Sequence, residues 1–303
     1  MRLGLLGHPV KHSLSPPMHR AAFLFFGIEG TYDLFDIEPQ EFESRVSNLI
    51  AAGISGFNAT IPHKGAALQL CTEQNRSLEA RLVGVANTIR VDSAGELHAH
   101  NTDLTGFMNA LREFEGGVTH SSSLAIILGA GGAARACILG AILAGYQRVC
   151  VIARRFEQSE AICQEIQQSL KAEGIEYHAG LSAAAPAALK SLDDSKSKEA
   201  CLIVNCTPVG LTQDTVPEFI EPLFRRNQSS SRKLFFDTVY KPDLEETPLM
   251  RLAGQNDYFV CDGLAMLVEQ AAYAFQFWTG RLPPHDLLLS AAKSSLQANS
   301  LNN

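Results

Sequence analysis

The run Leu124-Ala125-Ile126-Ile127-Leu128, followed at once by Gly129-Ala130-Gly131-Gly132-Ala133-Ala134, constrains the fold more than any other stretch. Five apolar residues ahead of a glycine cluster read as a buried strand. The alanine-rich run that follows, to residue 143, reads as a helix packed close upon it. Gly129 permits the tight turn, Gly131 lets backbone approach a pyrophosphate, and Ala134 allows close helix–strand packing. The helix N-terminus then presents free N–H groups and a positive dipole end to the phosphates. A glycine-rich packing turn is the plain alternative, and the strand-before, helix-after context favours the dinucleotide. Between Leu124 and Gly145 the only charged residue is Arg135. That length could span a bilayer, but the glycines split it into a strand and a helix, so no membrane span is expected.

The end of the next strand decides which dinucleotide fits. An acid there would bind the ribose hydroxyls of NAD, whereas arginine would pair with the 2′-phosphate of NADP. Here Val149-Cys150-Val151-Ile152 runs into Ala153-Arg154-Arg155, with no acid before Glu157. Gly129, Ala130, Gly131, Gly132 and Ala133 with Arg154 and Arg155 are therefore the candidate NADP-binding residues. Solvated arginines at a strand end are the alternative. A helix over 156–171 and strands over 202–205 and 234–237 continue a βαβ series for a doubly wound sheet. Polar loops are expected at 121–123 and 227–232, and a helix over 263–278.

The first hundred residues also alternate. Strands are expected over 3–7, 32–37 and 55–61, and helices over 16–27, 39–52 and 63–70. Segments 86–91 and 96–100 flank Asp92-Ser93-Ala94-Gly95, a hairpin signal. The fold class is α/β with two domains. At 303 residues the chain is long enough for both. A net charge of −7 argues against a nucleic-acid partner. The seven cysteines form no Cys-x-x-Cys pair. Cys137, Cys150 and Cys163 read as small buried hydrophobes of a reducing compartment, the cytoplasm. The first apolar run is short and ends at His8-Pro9, unlike a secretory signal.

Chemistry-bearing residues gather near the other strand ends. In Asn58-Ala59-Thr60-Ile61-Pro62-His63-Lys64 a proline turn places Lys64 just past a strand, where it can give or take a proton at a fixed point. Asn101-Thr102-Asp103 offers a carboxylate that could face it. A surface lysine, and a helix N-cap at Asp103, are the alternatives. Ser13 and Ser15, two apart ahead of a helix, could bind a carboxylate or cap the helix. Many hydroxyls and amides with one lysine and one carboxylate suit a small polyhydroxylated acid. The histidines lack a convincing ligand spacing, so no metal site is expected.

With these motifs in their order, the chain resembles the shikimate dehydrogenase family, NADP-dependent reductases of 3-dehydroshikimate. The resemblance spans nearly the whole length. It runs through His12-Ser13-Leu14-Ser15-Pro16, Asn58 to Lys64, Gly84-Val85-Ala86-Asn87-Thr88, Asn101-Thr102-Asp103 and the Gly129 loop. It continues through Asn205-Cys206-Thr207-Pro208-Val209-Gly210, Asp237-Thr238-Val239-Tyr240 and Asp262-Gly263-Leu264-Ala265-Met266-Leu267-Val268-Glu269-Gln270. It implies that Ser13 and Ser15 hold the substrate carboxylate, and that Thr60, Asn87, Asp103, Tyr240 and Gln270 bind ring hydroxyls. It makes Lys64 the acid/base with Asp103 beside it, and sets Thr238 and Gly263 near the nicotinamide. It also implies a substrate domain over 1–105, completed by C-terminal helices over about 263–303, around an NADP domain over 106–262. The substrate would be shikimate or 3-dehydroshikimate, and the enzyme a monomer or homodimer. The chain leaves the family pattern at Arg20, Ala59, Leu104 and Ala153. Two other readings stay open: a quinate/shikimate dehydrogenase using NAD and NADP, and a non-catalytic sensor on the same fold.

Overall fold

The computed structural model describes residues 1–116, 124–185, 200–211, 215–225, 233–241 and 245–300. The loops expected at 121–123 and 227–232 lie outside them. The chain forms two compact units: Met1–Gly106 with Leu267–Asn303, and Phe107–Met266.

The first unit is built on a five-stranded sheet. Its strands are β1 (Arg2–Gly7), β2 (Thr31–Asp36), β3 (Gly56–Ala59), β4 (Thr88–Val91) and β5 (Leu97–His100), in the order β2-β1-β3-β4-β5. The first three are parallel, joined by helices Ser15–Phe26 and Phe42–Ala51. β4 and β5 add an antiparallel hairpin. Asp92 fixes its turn, accepting from the N–H groups of Ala94 and Glu96 through Oδ1. Leu6, Phe57 and Ile89 centre an apolar core shared with Phe42 and Val46 of the crossing helix. The last helices close this unit. Trp278 donates its indole N–H to the Ile89 carbonyl at 2.8 Å. Helix His285–Ser300 packs along Ser15–Phe26.

The second unit is a six-stranded sheet. It comprises β6 (Leu124–Leu128), β7 (Arg148–Ile152), β8 (Gly180–Ala184), β9 (Ala200–Asn205), β10 (Leu234–Asp237) and β11 (Phe259–Cys261). Every pairing is parallel and the order is β11-β10-β9-β6-β7-β8. The chain winds outward from β6 through β7 to β8, then returns to β9 on the other side of β6. This is the doubly wound arrangement, and its switch point lies between β6 and β9. The apolar stretch after Leu124 divides into β6 and helix Gly132–Leu143, whose buried residues run from Ala134 to Ile142. No helix among the described residues is long and apolar enough to cross a membrane. The edge strands β8 and β11 were not anticipated. β8 is rich in small residues and β11 is three residues long, so neither carries a strong apolar signal.

Candidate active site

In the first unit β3 ends at Ala59, and the backbone turns through a cis Ile61-Pro62 bond. The turn is pinned on both sides. The His8 N–H donates to the Ile61 carbonyl at 2.9 Å, and the His63 N–H to the Thr60 carbonyl at 2.7 Å. The His63 ring is buried against Phe42 and bonds the Ile37 carbonyl at 2.7 Å. Lys64 then opens the short helix Lys64–Gln69, its own carbonyl accepting from Ala86 N–H at 3.0 Å. Fixed this way, Lys64 sends Nζ to Asp103 Oδ2 at 2.6 Å.

Asp103 is set with equal care. It lies in the first turn of helix Thr102–Glu115, but it does not cap that helix. Asn101 does: its Oδ1 accepts from Leu104 N–H at 3.1 Å and its Nδ2 donates to the Val85 carbonyl at 2.9 Å. The alternative reading of Asp103 as the helix cap therefore falls away, and both Asp103 oxygens remain for other work. Oδ1 accepts from Asn87 Nδ2 at 2.8 Å. Asn87 is fixed in turn by the Thr102 N–H, which donates to its Oδ1 at 2.8 Å. The Lys64 and Asp103 side chains are 15% and 8% exposed, enough for a small molecule to reach and too little for bulk water to surround.

Asn58, the first residue of the run that leads to Lys64, is scaffold. It is buried, accepting from Tyr32 Oη at 2.7 Å and donating to Thr88 Oγ1 and the Asn87 carbonyl at 3.0 Å each. Thr60 is half-buried just beyond β3. Neither serine supplies a side-chain cap to helix Ser15–Phe26, whose capping residue is Leu14. Ser13 Oγ accepts from Ser15 N–H at 3.2 Å, which holds the two residues in one turn. Gln270, in helix Gly263–Thr279, donates its amide to the Leu267 carbonyl at 2.8 Å. Ala59 and Leu104 are core residues of this unit. His98 and His100 are structural: His98 pairs with Asp92, and His100 bonds Ser77 and stacks on Phe277. No metal-holding group of three or more His, Cys, Asp or Glu occurs among the described residues.

In the second unit Gly129 follows β6 at φ +111°, and a Cβ there would lie 2.9 Å from the Cys206 carbonyl oxygen. Only glycine fits that conformation and approach. Helix Gly132–Leu143 starts with Gly131 at its cap, which makes no side-chain cap bond, an arrangement suited to a phosphate. Adjacent β7 leads to Ala153, Arg154 and Arg155, with both arginines exposed. At the other side of the switch point, Thr238 follows β10 and donates its hydroxyl to the Asn205 carbonyl at 2.8 Å. A Cβ on Gly263 would sit 2.4 Å from the Thr238 carbonyl oxygen, so those two segments meet backbone to backbone. Tyr240 is half-buried two residues beyond Thr238. The sequence reading passed over Asp237, which is wholly buried at the end of β10. Burial pushes its carboxyl up to about 6, against hydrogen bonds from Thr247, Val239 and Asn205.

These features define a class: α/β proteins with a dinucleotide-binding doubly wound unit and a second unit that carries a lysine–carboxylate pair. Residues 5–89 match the family model described as the shikimate dehydrogenase substrate binding domain, and 263–293 that of the shikimate 5′-dehydrogenase C-terminal domain. A shikimate dehydrogenase (NADP+) of Symbiobacterium thermophilum is 39% identical over 97% of this chain and 94% of its own. Among solved structures, shikimate 5-dehydrogenase of Thermus thermophilus with NADP(H) and shikimate is 33% identical, with a TM-score of 0.79 over 97% of this chain and 99% of its own. Quinate dehydrogenase of Corynebacterium glutamicum with NAD is 25% identical, with a TM-score of 0.82 over 97% and 99%. The chain belongs to the shikimate dehydrogenase (NADP+) family.

Proposed function

We propose that this protein catalyses the reversible NADPH-dependent reduction of 3-dehydroshikimate to shikimate, with Lys64 as general acid/base. The observation that carries the reading is the 2.6 Å Lys64–Asp103 contact. It lies in the unit whose residues 5–89 match the family's substrate-binding domain. Met1–Gly106 with Leu267–Asn303 is then the substrate unit and Phe107–Met266 the NADP unit.

Bound NADPH would supply the hydride for the C3 ketone. Negative charge grows on the carbonyl oxygen as the C–H bond forms, and Lys64 Nζ stabilises it and delivers one proton, giving the alcohol. In the reverse direction Nζ takes that proton back. Asp103 orients Nζ through Oδ2 and, held by Asn87 through Oδ1, meets a ring hydroxyl. Ser13 and Ser15 hold the carboxylate; Thr60, Asn87, Tyr240 and Gln270 bind the remaining oxygens. The residues present fit NADP. Gly129 to Ala133 offer uncapped N–H groups to the pyrophosphate, and exposed Arg154 and Arg155 suit the 2′-phosphate. Thr238 and Gly263 sit at the nicotinamide end.

The enzyme acts in the cytoplasm, as a monomer or homodimer without a nucleic-acid partner. The six free cysteines described and the net charge of −7 support that placement. The test is the NADPH absorbance change with 3-dehydroshikimate, run also with NADH, and in reverse with shikimate and quinate. Turnover with shikimate and NADP+ is expected. Preference for quinate and NAD+ would instead favour the quinate dehydrogenase reading, and no turnover a sensor.

A further inference from the structure

The three residues Leu128, Asn205 and Asp237 lie side by side in register at the carboxyl ends of β6, β9 and β10. The residues just beyond them, Gly129, Cys206 and Thr238, form one rim of the sheet. A dinucleotide lies along such a rim, its pyrophosphate at the switch point. Arg154 and Arg155, past β7, mark the adenosine half. The nicotinamide half then falls on the β9–β10 side, over Thr238.

Next to Thr238 in the chain is a carboxylate whose hydrogen-bond partners among the described residues are all neutral. Asp237 Oδ1 accepts from Asn205 Nδ2 at 2.8 Å and Val239 N–H at 3.0 Å, while Oδ2 accepts from Thr247 Oγ1 at 2.6 Å. All three are donors, so they support the ionised acid without cancelling its charge. The titratable neighbour that bears on it is Asp262, of the same sign. A negative charge buried this deeply acts over several ångströms with little screening.

We propose that Asp237 is a charge-tuning position of the cofactor site, favouring the cationic nicotinamide of NADP+ over the neutral ring of NADPH. This rests on the reading of the protein as an NADP-dependent dehydrogenase. The residue touches no reactant; it acts through the field it sets under the ring, and Asp262 adds to that field. With its carboxyl raised only to about 6, the group carries its charge at mildly alkaline pH.

Asp237→Asn removes the charge and keeps the shape. An asparagine oxygen in place of Oδ1 still accepts from Asn205 and Val239. Its amide can donate to Thr247 Oγ1, whose hydroxyl hydrogen is free to rotate. The test measures Kd for NADP+ and for NADPH by fluorescence titration near pH 8. The expected result in Asp237→Asn is roughly tenfold weaker NADP+ binding with NADPH affinity within about twofold. The half-buried Asp262→Asn should shift the ratio the same way by less, and it serves if the first variant does not fold. An unchanged ratio in both variants, or an equal loss of both affinities, overturns the proposal. Failure of the wild type to bind either nucleotide would instead remove the dehydrogenase reading itself.

Discussion

Asn87 Nδ2 donates to Asp103 Oδ1 at 2.8 Å, so the carboxylate that holds Lys64 is itself held. Asn87 reaches across from the start of the β4–β5 hairpin, and Thr102 N–H returns the contact to its Oδ1. The Lys64–Asp103 pair is thereby held by a buried side chain that is itself anchored to a backbone N–H.

If Lys64 delivers the proton, its removal should act on turnover alone. Lys64→Ala is expected to lower kcat by about 10²–10⁴ with KM for 3-dehydroshikimate nearly unchanged. Steady-state kinetics reads it, and near wild-type turnover would end the role assigned to Lys64.

Asn87→Ala removes the buried hydrogen bonds its amide makes with Thr88, Thr102 and Asp103 and leaves Thr102 N–H without its acceptor. A cost of about 1–3 kcal/mol in urea unfolding is expected. Mispositioning of Asp103 and Lys64 should also lower kcat, by roughly tenfold to a hundredfold.

The arginine pair past β7 should matter only for the phosphorylated cofactor. The double change Arg154→Ala, Arg155→Ala is expected to raise KM for NADPH by roughly tenfold to a hundredfold, as loss of charge-assisted hydrogen bonds implies. KM for NADH should stay within about twofold. Equal losses for both would deny the arginines their part in discrimination.

Gly129→Ala puts a side chain at φ +111° and against the Cys206 carbonyl. Destabilisation of about 1–3 kcal/mol is expected from backbone strain alone, and calorimetric melting measures it. A variant as stable as the wild type would show that the loop can re-form elsewhere.

Asp237 also predicts a pH signature in stability. Its folded carboxyl titrates near 6, above the ordinary 3.8, because burial opposes the charge. Between those values the folded state binds the extra proton, so stability falls as pH rises through the window. Asp237→Asn lacks this dependence. Relative to that variant, the wild type should lose about 2 kcal/mol from pH 4 to 7. Parallel pH–stability curves would refute the shift.

What could be seen in the sequence was local. The apolar pentad before Gly129 and the proline turn before Lys64 announce themselves within a dozen residues, and the structure places both as expected. What could not be seen depends on pairing. Asn58 looks like a site residue until β4 lies beside β3 and sets Thr88 opposite it. Asn101 and Asp103 both precede the same apolar helix, and only the fold decides which reaches Leu104 N–H. Asp237 reads as the polar end of an apolar strand, since its partners Asn205 and Thr247 come from distant segments.

The bond from Trp278 to Ile89 joins residues 189 positions apart and belongs to the first unit. Its sheet precedes the Phe107–Met266 unit in the chain, yet its packing is completed by helices that follow that unit. The intervening Phe107–Met266 unit has all its strands before then. On the growing chain, the middle can therefore fold first. The surface of helix Ser15–Phe26 that meets His285–Ser300 stays uncovered until that distant helix has been made, so that face is a stretch a nascent-chain chaperone has reason to shield.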